Sequence, residues 1–221
     1  MRGAGFSTVA EFARDIHREL ARHLAPTEVS FRGSLAEGTH DEYSDVDILA
    51  EVHSQLAQPA GPALLGHPRA RLMDLYGPAI VRYDPDYEET TSSQNVRFSF
   101  YEFPVFWRLD LTVVSDNPSS EKYPSPFPNW SVGTSASMNV VWAIKDQERR
   151  DGPSADHYLA SACDKLGEAR LRYSAENVLR ILDSLRAAGD ADAALVARTR
   201  EAVRQGGSGW QFPRTPCHAL G

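Results

Sequence analysis

Lysine is nearly absent from this chain, which holds Lys122, Lys145 and Lys165 and no others. Counting arginine, 23 basic residues face 30 acidic ones, for a net charge of −7. That balance argues against a protein whose main task is to grip a nucleic-acid backbone, which needs basic surface. It suits a small or cationic partner better. Cysteine is scarcer still: Cys163 and Cys217 stand in no metal-ligand spacing and form no disulfide framework, which points to a reducing cytoplasm. No apolar run approaches membrane-spanning length, and the N-terminus lacks the apolar core of a signal peptide. The histidines form no HExxH pair, which argues against a zinc enzyme, and without a GxxxxGK stretch a P-loop triphosphate site is excluded.

The 221 residues, 42% of them hydrophobic, suffice for one large domain or two small ones. Val9, Phe12, Ala13, Ile16, Leu20 and Leu24 recur at helical spacing behind a Thr8–Glu11 capping box, with Pro26 beyond the end, which predicts a first helix. Strands are predicted over Glu28–Arg32, Val46–Val52, Ala79–Tyr83, Val96–Tyr101 and Val105–Val114, and a helix over Pro62–Tyr76. This interleaving gives an α/β (α+β) domain with a mixed sheet over residues 1–115. The proline- and serine-rich stretch NPSSEKYPSPFPNW then marks a linker over 116–130. A helical domain is predicted over 131–205, with helices at Met138–Arg149, Asp156–Leu166, Arg170–Ala187 and Ala191–Gln205. Within it Leu171, Val178, Leu182 and Leu185 are spaced for one buried face. Residues 206–221 read as a flexible tail.

The stretch RGSLAEGTHDEYSDVDI carries the chemistry. Gly33-Ser34 ends an apolar strand and opens a turn, where unpaired N–H groups and a hydroxyl can face an anion. Asp45 and Asp47 sit at i and i+2, so on a strand they project from one face. Two adjacent carboxylates repel unless a cation joins them, and hard oxygen ligands select Mg²⁺ or Mn²⁺. A phosphate cradle beside such a pair is equipment for chemistry on a nucleoside triphosphate.

Gly-Ser, a short spacer and Asp-x-Asp resemble the motif of the polymerase-β-like nucleotidyltransferase superfamily. In size and layout the chain is similar to the small aminoglycoside- and lincosamide-modifying members. The resemblance implies a third carboxylate on a later strand, and Asp110 in WRLDLTVVS is the match. Trp107, Leu109, Leu111 and Val113 share one face of that strand, and Asp110 shares the other with Arg108 and Thr112. By the resemblance, Asp45, Asp47 and Asp110 hold two Mg²⁺ ions, with Mn²⁺ as an alternative, and Asp110 takes the acceptor proton. Gly33, Ser34 and Lys145 then meet the phosphates of ATP or another NTP. The implied reaction moves AMP to a hydroxyl of a small molecule, an antibiotic, and releases pyrophosphate.

Several residues keep two readings. Asp110 is a metal ligand or an aspartate neutralised by Arg108; Lys145 contacts the triphosphate or snorkels from an apolar stripe. Arg32 faces the triphosphate or a surface carboxylate, and Glu102 is a second candidate general base. Asp84-Pro85-Asp86-Tyr87-Glu88-Glu89 is an acidic collar for a cationic acceptor or a solvated loop. Trp107, Trp130 and Trp142 read as core rather than as platforms for a base. Two other functions stay open. One is a toxin–antitoxin type transferase acting on a protein or tRNA; the absence of a basic stripe counts against tRNA. The other is a degenerate nucleotide-binding regulator, against which the three aspartates count.

Overall fold

Thr8 caps the first helix by accepting a hydrogen bond from the Glu11 N–H at 3.2 Å. Glu11 reaches back one residue further than a capping box requires, to the Ser7 N–H at 2.7 Å and the Ser7 hydroxyl at 2.8 Å. The helix so begun, α1, runs Val9–His23. Its stripe of Val9, Phe12, Ala13, Ile16 and Leu20 is buried as the periodicity predicts. Thr8→Ala should lower stability by about 1 kcal/mol, or about 2–4 °C in melting temperature, as read by calorimetry.

The computed structural model describes residues 5–23, 28–52, 63–83, 92–116 and 131–205. Leu24, Pro26, Pro62, the acidic run 84–89, Lys122, Trp130, Cys217, nearly all of the predicted linker and the predicted tail lie outside them. The described residues form an α+β fold: β1 (Glu28–Phe31), α2 (Gly33–Glu37), β2 (Val46–Val52), α3 (Ala63–Tyr76), β3 (Ala79–Tyr83), β4 (Ser93–Phe100) and β5 (Leu109–Ser115) follow α1. Four helices come after: α4 (Val132–Glu148), α5 (Gly152–Leu166), α6 (Ala175–Ala188) and α7 (Ala193–Arg204). No helix among the described residues is long and apolar enough to cross a membrane.

The sheet is mixed, in the order β1-β2-β5-β4-β3; β2 and β5 are parallel and the other pairs antiparallel. Strand alternation divides its faces. Val46, Ile48, Ala50 and Val52, with Leu109, Leu111, Val113, Val96, Phe98 and Phe100, form a buried apolar face. α1 and α3 cover it through rings: Phe12 stacks on Phe103 at 4.4 Å, and Tyr76 meets Phe100 edge-on at 5.6 Å. The opposite face carries Asp47, Asp110, Thr112, Asn95 and Arg97.

The helix expected over Asp156–Leu166 starts four residues earlier at Gly152, the strand expected from Val96 starts at Ser93, and the Gly33-Ser34 turn opens a short helix. Three further elements depart from the sequence prediction in ways that bear on packing. Residues 105–108 are expected to begin β5, but the chain turns there, with Trp107 N–H bonded to the Pro104 carbonyl at 2.9 Å and Arg108 N–H to that of Phe106 at 3.0 Å. Phe103, Val105, Phe106 and Trp107 are all buried, so this apolar run fills the aromatic cluster without alternating. α6 starts five residues later than expected, because the Ser174 side chain accepts from the Asn177 N–H at 3.1 Å and caps it there. Leu171 is therefore half-buried ahead of the helix, while Val178, Leu182 and Leu185 are buried within it. α4 starts six residues earlier than expected, from a Ser131 cap on the Thr134 N–H at 3.0 Å. Gly133 explains its close packing: a Cβ there would lie 2.0 Å from Asp190 Oδ1.

The end of α4 is abrupt. Arg150 has φ +62°, in the left-handed region that glycine occupies at little cost. Arg150→Gly should therefore stabilise the fold by about 0.5–1 kcal/mol, seen as a higher denaturation midpoint.

Candidate functional site

The polar face of the sheet gathers its charges where parallel strands β2 and β5 begin. Asp47 and Asp110 are direct register partners on these neighbouring strands, so their side chains rise together. Asp45, two residues earlier, projects from the same edge. Gly33 at the start of α2 lies against this group, since a Cβ added to it would meet Asp47 Oδ2 at 2.8 Å. Its φ of +54° is a second reason for glycine. Ser34 follows in the same helix, and the Arg32 N–H donates to the Asp47 carbonyl at 2.9 Å, while the Arg32 side chain is exposed.

Cations answer two of the three aspartates. Lys145 Nζ lies 2.8 Å from Asp45 Oδ1, and Arg108 Nη2 lies 2.9 Å from Asp45 Oδ2. Arg97 Nε donates to Asp110 Oδ2 at 3.0 Å, and Arg108 Nη2 is 3.7 Å from that same oxygen. Asn95 Nδ2 holds the other Asp110 oxygen at 2.7 Å and Thr112 Oγ1 at 2.9 Å. Arg108 is 7% exposed and lies over the Trp142 ring at 5.3 Å, while its Nε and Nη1 are buried without a hydrogen-bond partner.

Asp47 is held differently. Burial, then the charges of Asp45 and Asp110, push its carboxyl up to about 6, against which Arg108 and Lys145 pull only partly. Unfolded, the same group titrates near 3.8. The folded chain therefore holds a proton on Asp47 between these values that the unfolded chain has released. Ionised Asp47 costs the fold stability above about pH 6, and the cost is gone below about pH 4.

The residues picked out in the sequence separate into two groups. Gly33, Asp45, Asp47, Asp110 and Lys145 meet at this edge, and Ser34 follows Gly33 in α2. Lys145 is 8% exposed with its ammonium on Asp45, so it does not snorkel to the surface. Glu102 lies apart, exposed in the turn after β4, and its charge acts on Arg198 of α7. Trp107 is core as expected, whereas Trp142 is half-buried and serves as the surface on which Arg108 lies. Arg97, Asn95 and Arg149 are the site residues the sequence reading missed. The first two carried a signal, because they alternate with the apolar Val96 and Phe98.

The group meets a divalent cation's needs in part. Three carboxylates share one edge, one of them is held well above the usual carboxylate range, and Gly33 leaves the space beside the Asp47 carboxylate free of a Cβ. Among the described residues, however, no group of three or more His, Cys, Asp or Glu side chains is arranged to hold a metal ion. A metal would have to displace Lys145 from Asp45 Oδ1 and share Asp110 with Asn95 and Arg97. The donor set fits Mg²⁺ or Mn²⁺ chemically. A separate cavity of about 380 Å³ opens across the 39–44 loop, against α1; Thr8, His40, Glu42 and Phe106 line it, and none of the three aspartates does. The chain matches no family model, and no curated protein is similar enough to it to count as a relative.

Proposed function

We propose that this chain is a divalent-metal-dependent nucleotidyltransferase that moves a nucleoside monophosphate from a nucleoside triphosphate, ATP in the first instance, to a hydroxyl of a small molecule. The observation that carries the reading is the register pairing of Asp47 with Asp110 beside Asp45 and against Gly33. Burial first, and then repulsion by Asp45 and Asp110, raises Asp47 to about 6, and a cation would relieve the repulsion.

In this reading Asp45, Asp47 and Asp110 would hold the metal. Bound Mg²⁺ supplies charge neutralisation on the phosphates and a lowered pKa for the acceptor hydroxyl. The residues of the chain do the rest. Asn95 and Arg97 orient the Asp110 carboxylate, which receives the hydroxyl proton. The hydroxyl oxygen bonds to the α-phosphorus, the α–β bridging bond breaks, and pyrophosphate leaves with the electron pair. Lys145, displaced from Asp45, is a cation at hand for the triphosphate. Arg108 keeps its place under Asp45 through the Trp142 ring. An antibiotic acceptor and a cytoplasmic setting remain part of the proposal, from size, charge and cysteine usage.

One observation favours a second reading. Arg97, Arg108 and Lys145 match the three aspartates in number, as in a nucleotide-binding module that has lost its metal and acts as a regulator. Pyrophosphate release separates the two. NTPs are screened with pooled aminoglycosides, lincosamides and tRNA. Release that needs Mg²⁺ and an acceptor, and that Asp110→Asn removes, supports the transferase. Nucleotide binding without release from any pool supports the regulator.

A further inference from the structure

Asp41 and Asp45 stand four positions apart, as do Lys145 and Arg149 at the end of α4. One helical turn of α4 thus holds both aspartates. Lys145 takes Asp45, and Arg149 takes Asp41 with a two-pronged grip, Nε to Oδ2 and Nη2 to Oδ1, both at 2.7 Å. Arg149 Nη2 also donates to Ser44 Oγ at 3.2 Å.

Asp41 and Ser44 close a tight turn. Asp41 Oδ1 accepts from the Tyr43 N–H at 3.0 Å and from Ser44 Oγ at 2.9 Å, while Ser44 Oγ accepts from the Asp41 N–H at 2.9 Å. The Ser44 N–H returns to the Asp41 carbonyl at 3.1 Å. Hydrogen bonding from Arg149 is the chief cause that holds Asp41 down at about 2, so the pair stays charged across the physiological range. Ser44 is 1% exposed and precedes Asp45 directly. The grip itself is half open to solvent, with Arg149 and Asp41 side chains 33% and 41% exposed. Such a pair adds little to global stability. Its effect is local: it fixes the backbone from which Asp45 projects.

We infer that Arg149 is a positioning residue for Asp45, acting through Asp41 and Ser44. The inference rests on the reading of Asp45 as a metal ligand. Its test therefore pairs a metal measurement with one that needs no metal. Mn²⁺ uptake by the full chain is titrated by electron paramagnetic resonance, and amide exchange is followed at Tyr43 and Ser44, in wild type, Arg149→Ala and Arg149→Lys. Arg149→Ala should melt within about 2 °C of wild type, yet bind Mn²⁺ about 10–100-fold more weakly, as loss of a group behind a metal ligand does. Arg149→Lys should recover part of that affinity. Exchange at Tyr43 and Ser44 should quicken in Arg149→Ala, while Ile48 and Ala50 in β2 keep their protection. Unchanged Mn²⁺ affinity, or unchanged exchange at Tyr43 and Ser44, overturns the inference. If wild type itself takes up no Mn²⁺, the metal reading fails on its own, and exchange alone decides whether Arg149 holds the turn.

Discussion

Asp47→Asn should abolish turnover and stabilise the protein at the same time. The substitution keeps shape and removes a charge. In the proposed reaction that charge holds metal against the triphosphate, so its loss should cut turnover by several orders of magnitude. In the resting protein the same charge is a burden, because burial, Asp45 and Asp110 raise the carboxyl to about 6. At pH 7.5 the neutral amide should stabilise the fold by on the order of 1 kcal/mol, or about 2–4 °C. The gain should fade as pH falls through 6 toward 4, where wild-type Asp47 is itself protonated. Melting curves at pH 7.5 and pH 4.5 check this. A variant destabilised at pH 7.5 would show that Asp47 is satisfied by contacts of another kind.

Arg108→Met should act in the opposite direction. Arg108 is 7% exposed, bonds to Asp45 at 2.9 Å and lies over Trp142. Removing one partner of a buried pair is costly because the other charge stays behind. Here the loss is softened: Lys145 still holds Asp45, Arg97 still holds Asp110, and two orphaned donors on Arg108 disappear. We expect a loss of about 2 kcal/mol at pH 8, or about 4–8 °C. Arg108 pulls the Asp47 carboxyl down, so without it the folded chain holds a proton to still higher pH. The deficit should therefore shrink on acidification to pH 5. Added Mn²⁺ should recover more stability in the variant than in wild type, since it supplies the missing charge. An equal loss at both pH values would mean that Arg108 acts by packing alone.

The strands that hold the site were legible because their apolar residues alternate, with Leu49 the exception in β2. Val46, Ile48, Ala50 and Val52 leave no doubt about which way Asp47 points, and β2 and β3 form over the residues that the pattern predicts. Asp110 was legible for the same reason, as the polar interruption of Leu109, Leu111 and Val113. Patterns failed where burial is not periodic. Phe103 to Trp107 is apolar throughout and turns, because its side chains fill an aromatic cluster rather than one face of a sheet. The first turns of α4 are small and polar and read as loop, yet Gly133, Ala136 and Ser137 are buried where neighbouring chain comes close.

Pairings across the fold were the least legible. No spacing rule links Arg149 to Asp41, 108 residues away, or Lys145 to Asp45, 100 residues away. Both follow from α4 lying against the end of the sheet. Arg97 illustrates a nearer failure. Arg108, two residues from Asp110 on one strand, was the obvious partner for it, but antiparallel pairing brings Arg97 directly opposite. Arg108 gives its hydrogen bond to Asp45 and stays 3.7 Å from Asp110.

Mn²⁺ uptake counted by electron paramagnetic resonance, in the presence of a nonhydrolysable ATP analogue, tests the central claim most directly. Two Mn²⁺ per chain are expected in the wild-type protein, and loss of both tight sites in Asp47→Asn, whose fold is intact by its melting curve. A wild-type protein that takes up no Mn²⁺ with the analogue present, or an Asp47→Asn protein that binds it as tightly, would contradict a metal-dependent nucleotidyl transfer at Asp45, Asp47 and Asp110.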